Sequence, residues 1–135
     1  MIAPAYMNNS RLDEIISNEA TQIFESQLGF WKFEFCGRLT FVVTDETHNR
    51  MRIMTPVIES NELAGDDLIQ LLNANFDRAL DARYCINGDH LWSAFIHPLE
   101  ELTDGLFLSG LNQVVTLADN YGTSFSSGAL VFGGE

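Results

Sequence analysis

Few residues of this chain could do chemistry, and the pair that comes nearest by spacing is Cys85 and His90. Between them lies Asn87-Gly88. If those two residues form the whole turn of a hairpin, the thiol and the imidazole become direct cross-strand neighbours. An imidazole that removes the thiol proton is the usual way to activate a cysteine nucleophile. The sequence supplies nothing to complete such a site. It has no third group to orient the imidazole and no glycine-rich oxyanion loop at a helix start, and a hairpin tip excludes water poorly. His90 and His97 stand seven apart on one predicted strand, so they point to opposite faces and cannot chelate one metal together. His48 is alone in a polar stretch. The acidic pairs Asp45-Glu46, Asp66-Asp67 and Glu100-Glu101 fall at loops and helix starts, where carboxylates are solvated or favour the helix dipole. No glycines fall into a dinucleotide or phosphate-loop pattern. The residues therefore predict no catalytic, metal or cofactor site, and no enzyme.

Composition narrows the function classes further. A chain of 135 residues with 46% hydrophobic residues, ten Gly and three Pro reads as one globular domain. Seven Lys and Arg against nineteen Asp and Glu give a net charge of −12, which argues against nucleic acid and anionic membrane surfaces as partners. Every cation lies at or before Arg83, so the last third of the chain is a poor phosphate binder. Cys36 and Cys85 form no CxxC pair, the N-terminus lacks the pattern of a signal peptide, and no apolar run has the length of a membrane span. These features predict reduced thiols and a cytoplasmic location.

The elements that must position any site are signalled by periodicity. Leu68, Leu71, Leu72, Asn75, Phe76, Ala79 and Leu80 fall at helical spacing from Asp66 onward and predict a helix of about four turns with that stripe buried. Asn75 lies within the stripe and is read as a buried amide bonded to a neighbouring backbone group. A hairpin follows, with Tyr84, Ile86, Leu91, Ser93 and Phe95 on one face and Arg83, Cys85, His90, Trp92, Ala94 and Ile96 on the other. Neither face is cleanly polar, which predicts two covers for this pair, the second being a subunit or a partner.

Upstream, Ser10 is the expected cap of a first helix over about Arg11 to Leu28 that stops at Gly29. Three strands are predicted from Phe30 to Ile58. Phe35 opposes Leu39 across a Cys36-Gly37-Arg38 loop, which puts Trp31, Phe33, Phe35, Leu39, Phe41, Val43, Met51, Ile53 and Val57 on one apolar face. Val42, Met54 and Ile58 make an apolar seam on the wet face. Downstream, Thr103 caps a last helix with Phe107, Leu111, Val114, Val115, Ala118 and Tyr121 inward and an uncharged outer side of Ser109, Asn112, Gln113 and Thr116. The expected organisation is an arm over 1–9, an α+β domain over 10–122 and a Gly/Ser-rich tail over 123–135, in which Ala129 to Phe132 could add an edge strand. The element order is α-β-β-β-α-β-β-α around a mainly antiparallel five-stranded sheet.

That order over residues 10 to 121 resembles the class I type III secretion chaperone fold. The run LLNANFDRALDARYCINGDHLWSAFIHPLEELT also looks like the YbjN family, through Asn75-Phe76, Asn87-Gly88, Leu91-Trp92 and His97-Pro98-Leu99. The resemblance implies a small acidic cytoplasmic homodimer that binds another polypeptide, with the second helix and the following strand contributing to the dimer. Together with the two-sided hairpin, it predicts a non-enzymatic protein-binding module. The partner or dimer contacts expected from the surplus apolar residues are Val42, Met54, Ile58, Trp92, Ala94 and Ile96. A small-ligand or regulatory domain using the same fold is the alternative.

Overall fold

The structure, a computed structural model, describes residues 6–128. In chain order the elements are α1 (Asn9–Glu19), β1 (Gln22–Gln27), β2 (Phe30–Phe35), β3 (Arg38–Asp45), β4 (Arg50–Glu59), α2 (Gly65–Asp77), β5 (Arg83–Asn87), β6 (His90–His97) and α3 (Asp104–Asp119). The architecture is α+β, as expected, but the sheet has six antiparallel strands, ordered β1-β2-β3-β4-β6-β5.

The sixth strand comes from the segment expected to continue the first helix. α1 is capped by Asn8, whose Oδ1 accepts from the Arg11 N–H at 2.9 Å, while Ser10 lies inside the helix. It ends at Ala20, where the backbone turns extended. Ile23, Phe24 and Leu28 suit a helical stripe by spacing, yet Gln22–Gln27 pairs with β2 through a Leu28-Gly29 turn in which Gly29 has φ 102°. The glycine that looked like a helix stop is a hairpin residue, and strand pairing outweighs helical periodicity here. All six residues of β1 are exposed.

The β2–β3 hairpin is also tighter than expected. Phe35 opposes Arg38, and Cys36 and Gly37 alone form the loop with φ 50° and 81°. Two positive φ values in succession are what a type I′ turn requires. This moves β3 by one residue relative to the expected register, and a one-residue slip exchanges the faces of a strand. Thr40 and Val42 therefore enter the core beside Trp31, Phe33 and Ile53, while Leu39, Phe41 and Val43 go to the opposite face. At the second hairpin Asn87 opposes His90, so Gly88-Asp89 is the turn, with Gly88 at φ 61°. That change is a shift of two, and both expected faces of β5 and β6 survive it.

The helices lie on one side of the sheet. Trp31 Nε1 donates to Asp13 of α1 at 3.0 Å, and Thr44 Oγ1 donates to Asn9 at 2.7 Å. α3 is capped by Thr103, whose Oγ1 accepts from the Leu106 N–H, and buries Phe107, Leu111, Val114 and Leu117 against β4 and β6. Gly110 sits so close to the sheet that a Cβ there would lie 2.7 Å from the Phe95 ring. Gln113, expected on the outer side, points inward. Its Oε1 accepts from the backbone N–H groups of Asp81 and Ala82, and its Nε2 donates to Asp81 and Ser109, which fixes the connection between α2 and β5.

Both expected loose ends pack where they are described. Met7 is buried, and Phe125 meets Tyr84 and Tyr121 edge-on with ring centroids 6.2 and 5.6 Å away. The expected strand at Ala129 to Phe132 lies outside the described residues.

Candidate partner-binding surfaces

Two apolar surfaces remain outside this core. The first is the helix-free face of the sheet. Register places Phe41 of β3, Met54 of β4 and Ala94 of β6 side by side, with Trp92 and Ile96 flanking Ala94 along β6. Aromatic contacts run across it, Phe30 to Phe41 at 6.1 Å, Phe41 to Trp92 at 5.9 Å and Trp92 to His90 at 5.9 Å. Trp92 Nε1 donates to Asn87 O at 3.3 Å, which ties the indole to the neighbouring strand of the hairpin. Ile96 is 54% exposed, and Ala94 is shielded by its larger neighbours.

Of the six contact residues expected from sequence, the structure brings Met54, Trp92, Ala94 and Ile96 together here. Val42 is fully buried on the other face and offers no surface. Ile58 is turned by the irregularity between Pro56 and Ile58, pairs with Leu91 and packs against the core. Sequence reasoning missed Leu39, Phe41 and Val43, because each depends on the hairpin register, and Phe30, which shares the face of Lys32 whatever the register. The signal was available in Cys36-Gly37, where glycine at the second loop position suits a two-residue turn better than the three-residue loop.

The second surface is the outer side of α2. The stripe predicted to be buried is only partly so, with Leu71 and Ala74 inward. Ile69, Leu72 and Phe76 are 61, 69 and 82% exposed, and Ile86 of the neighbouring strand 50%. A groove of about 310 Å³ between helix and strand is lined by Leu68, Leu71, Leu72, Tyr84, Ile86 and Leu91. α2 is held there by Asn75, whose Oδ1 accepts from the Tyr84 N–H at 2.8 Å and whose Nδ2 donates to Tyr84 O at 3.0 Å. The amide thus occupies the outward backbone groups of Tyr84 on the edge strand, as a paired strand would. The helix start is set by Asp67, whose carboxylate accepts from the Ala64 N–H at 2.9 Å.

The residues that could have done chemistry are dispersed. Cys85 opposes Trp92, and His90 opposes Asn87, so the expected thiol and imidazole pair does not form. Burial pushes the Cys85 thiol up, outweighing the opposite influence of Arg52 and Arg83, and this keeps it protonated. His48 Nδ1 lies 2.8 Å from Asp45, which holds the Asp45 carboxyl below its ordinary value. His97 Nδ1 lies 2.8 Å from its neighbour's carbonyl, Pro98 O. Among the described residues no three His, Cys, Asp or Glu side chains gather at metal-holding distances, and no helix is long and apolar enough to cross a membrane.

No family model and no curated protein matches the sequence. Solved structures do match the fold. A chain of the HopA1–SchA chaperone–effector complex superposes with a TM-score of 0.63 at 11% identity, covering 83% of this chain and 90% of that one. A chain of the Yersinia pestis type III secretion chaperone SycH in complex with a stable fragment of YscM2 gives 0.60 at 15% identity, covering 83% and 97%. The fold is that of the type III secretion chaperones. A chain of the ExsC–ExsE complex shares it too, with a TM-score of 0.63 at 13% identity over 85% and 94%. In this fold the described residues leave the helix-free face and the outer side of α2 uncovered.

Proposed function

We infer that this chain is a non-enzymatic, chaperone-like protein-binding module that works in the cytoplasm as a homodimer and holds a partner polypeptide. The observation that carries the reading is the presence of two apolar surfaces, on opposite sides of the β5–β6 hairpin, that the core does not use. The outer side of α2 suits a second copy, because an isologous contact uses the same patch twice. Fully burying a Leu or Phe side chain contributes about 1.5–3 kcal/mol, so covering the exposed parts of four such side chains on each copy is of the same order as the lost rigid-body freedom, roughly 4–15 kcal/mol. The helix-free face then remains for the partner. Support for a partner also comes from the neighbours in fold, which were solved as complexes with other proteins.

The experiment is affinity purification from the native host with wild type and with Trp92→Asp or Ile96→Asp. The reading expects one stoichiometric protein on the wild type, its loss on the variants, and unchanged circular dichroism. Unchanged capture by the folded variants would sink it. Regulation by a small ligand, the use that the YbjN likeness suggests, is favoured by one observation, the groove of about 310 Å³ under α2. A metabolite that raises the melting temperature, and that Leu72→Asp makes ineffective, would select that alternative.

A further inference from the structure

The cations of this acidic chain are unevenly used. Arg11 is paired with Asp104, Arg38 with Asp119, and Arg78 lies 4.0 Å from Asp77. The other four, Lys32, Arg50, Arg52 and Arg83, stand on sheet strands at positions that register assigns to the helix-free face, and none is in an ion pair among the described residues. Lys32 opposes Glu25, and the Arg83 guanidinium donates to Leu80 O and Ala82 O. Arg50 and Arg52 are more concentrated. They line a hollow of about 400 Å³ with Val43 and Ile96, at one end of the apolar seam. Arg52 lies between Val43 and Ile96 in register, with no carboxylate opposite it. Among the described residues one carboxylate lines the hollow, Asp45, which opposes Arg50 in register and bonds His48 at 2.8 Å, so two guanidinium groups face a single carboxylate there.

We propose that this hollow receives an acidic, amphipathic extended segment of the partner, with an apolar side chain on Val43 and Ile96 and a carboxylate on Arg50 and Arg52. This rests on the protein-binding reading of the helix-free face and adds the chemistry of the segment. The alternating pattern follows from the sheet, since a chain lying on it meets apolar and cationic positions in turn. Arginine forks hold carboxylates in bidentate geometry, which gives orientation as well as attraction. The net charge of −12 works the other way and would attract a basic segment. At physiological salt, however, fields from exposed charges are damped beyond about 8 Å. At contact the two arginines decide the sign, and the distant carboxylates of helices and loops do not.

The test uses the full chain and two fluorescein-labelled peptides read by anisotropy. One alternates glutamate with leucine and phenylalanine, and the other has lysine at every glutamate. The acidic peptide is expected to bind at least about ten-fold tighter and to weaken several-fold between about 50 and 300 mM NaCl. Arg50→Glu and Arg52→Glu should each remove most of that preference, and so should the milder Arg52→Gln, whereas Arg78→Glu, on the far side of the molecule, should not. Equal binding of both peptides, or full acidic preference in Arg52→Gln and Arg50→Glu, overturns the proposal and leaves polypeptide binding standing. Binding of neither peptide while Trp92→Asp still abolishes partner capture also overturns it. Loss of peptide binding and of any Trp92-dependent capture removes the underlying reading as well.

Discussion

Asn75, Gly110 and Tyr84 show how single residues hold this fold. Asn75 was legible in the sequence as a bonded amide, and its bonds are to both backbone groups of Tyr84. Asn75→Leu would keep the helix but strip the edge strand of those partners, so chemical denaturation should show a loss of about 1–3 kcal/mol. Gly110 was not legible, because nothing in the sequence says how closely α3 approaches Phe95. Alanine in a helix interior normally gains about 1 kcal/mol over glycine. Here its Cβ would sit 2.7 Å from the ring, and overpacking of that kind costs about 1–3 kcal/mol. Gly110→Ala should therefore lower the denaturation midpoint instead of raising it. Tyr84 donates its hydroxyl to Leu117 O at 2.7 Å, and burial, reinforced by Tyr121, pushes its phenol well above the ordinary value. A phenol raised in the folded state contributes stability that is fully present below its unfolded value and is lost as pH rises toward the folded one. Stability should thus fall above about pH 10, and Tyr84→Phe should flatten that fall while costing about 1 kcal/mol at neutral pH.

At the scale of elements, periodicity found every helix and five of six strands, because apolar spacing of 3.6 or 2 reports a buried face. It failed where the face is not buried. β1 has no buried residue, so its Ile23 and Phe24 could be fitted to a helix that the chain does not form. It failed again at Cys36-Gly37, where one residue of loop length decides which side of the sheet receives Phe41. The candidate site inherited that error. Met54, Trp92, Ala94 and Ile96 share one face because their strands kept the expected faces, while Val42 changed places with Phe41 and Val43. The exposed edge position of β1 also sets its dynamics, since local opening is easiest where few apolar contacts must be broken. In native-state hydrogen exchange the amides of β1 should exchange well before those of β4 and β6. Equal protection of β1 and β4 would contradict the edge assignment.

At the scale of the molecule, the helices of the described residues cover one face of the sheet and leave apolar groups on the other and on the outer side of α2. A surplus was legible in the two-sided hairpin, yet the α2 stripe read as core, because spacing alone does not distinguish an apolar face that meets the sheet from one left exposed. Phe76, 82% exposed, is the residue that separates the two. In the proposed homodimer this surface is covered by a second copy. Sedimentation equilibrium of the wild type and of Leu72→Asp/Phe76→Asp tests it most directly. The expected result is a wild-type mass near twice that of the 15.1 kDa chain and a folded monomer for the double variant. A wild type that stays monomeric at micromolar concentration, or a double variant that still dimerises, would contradict it.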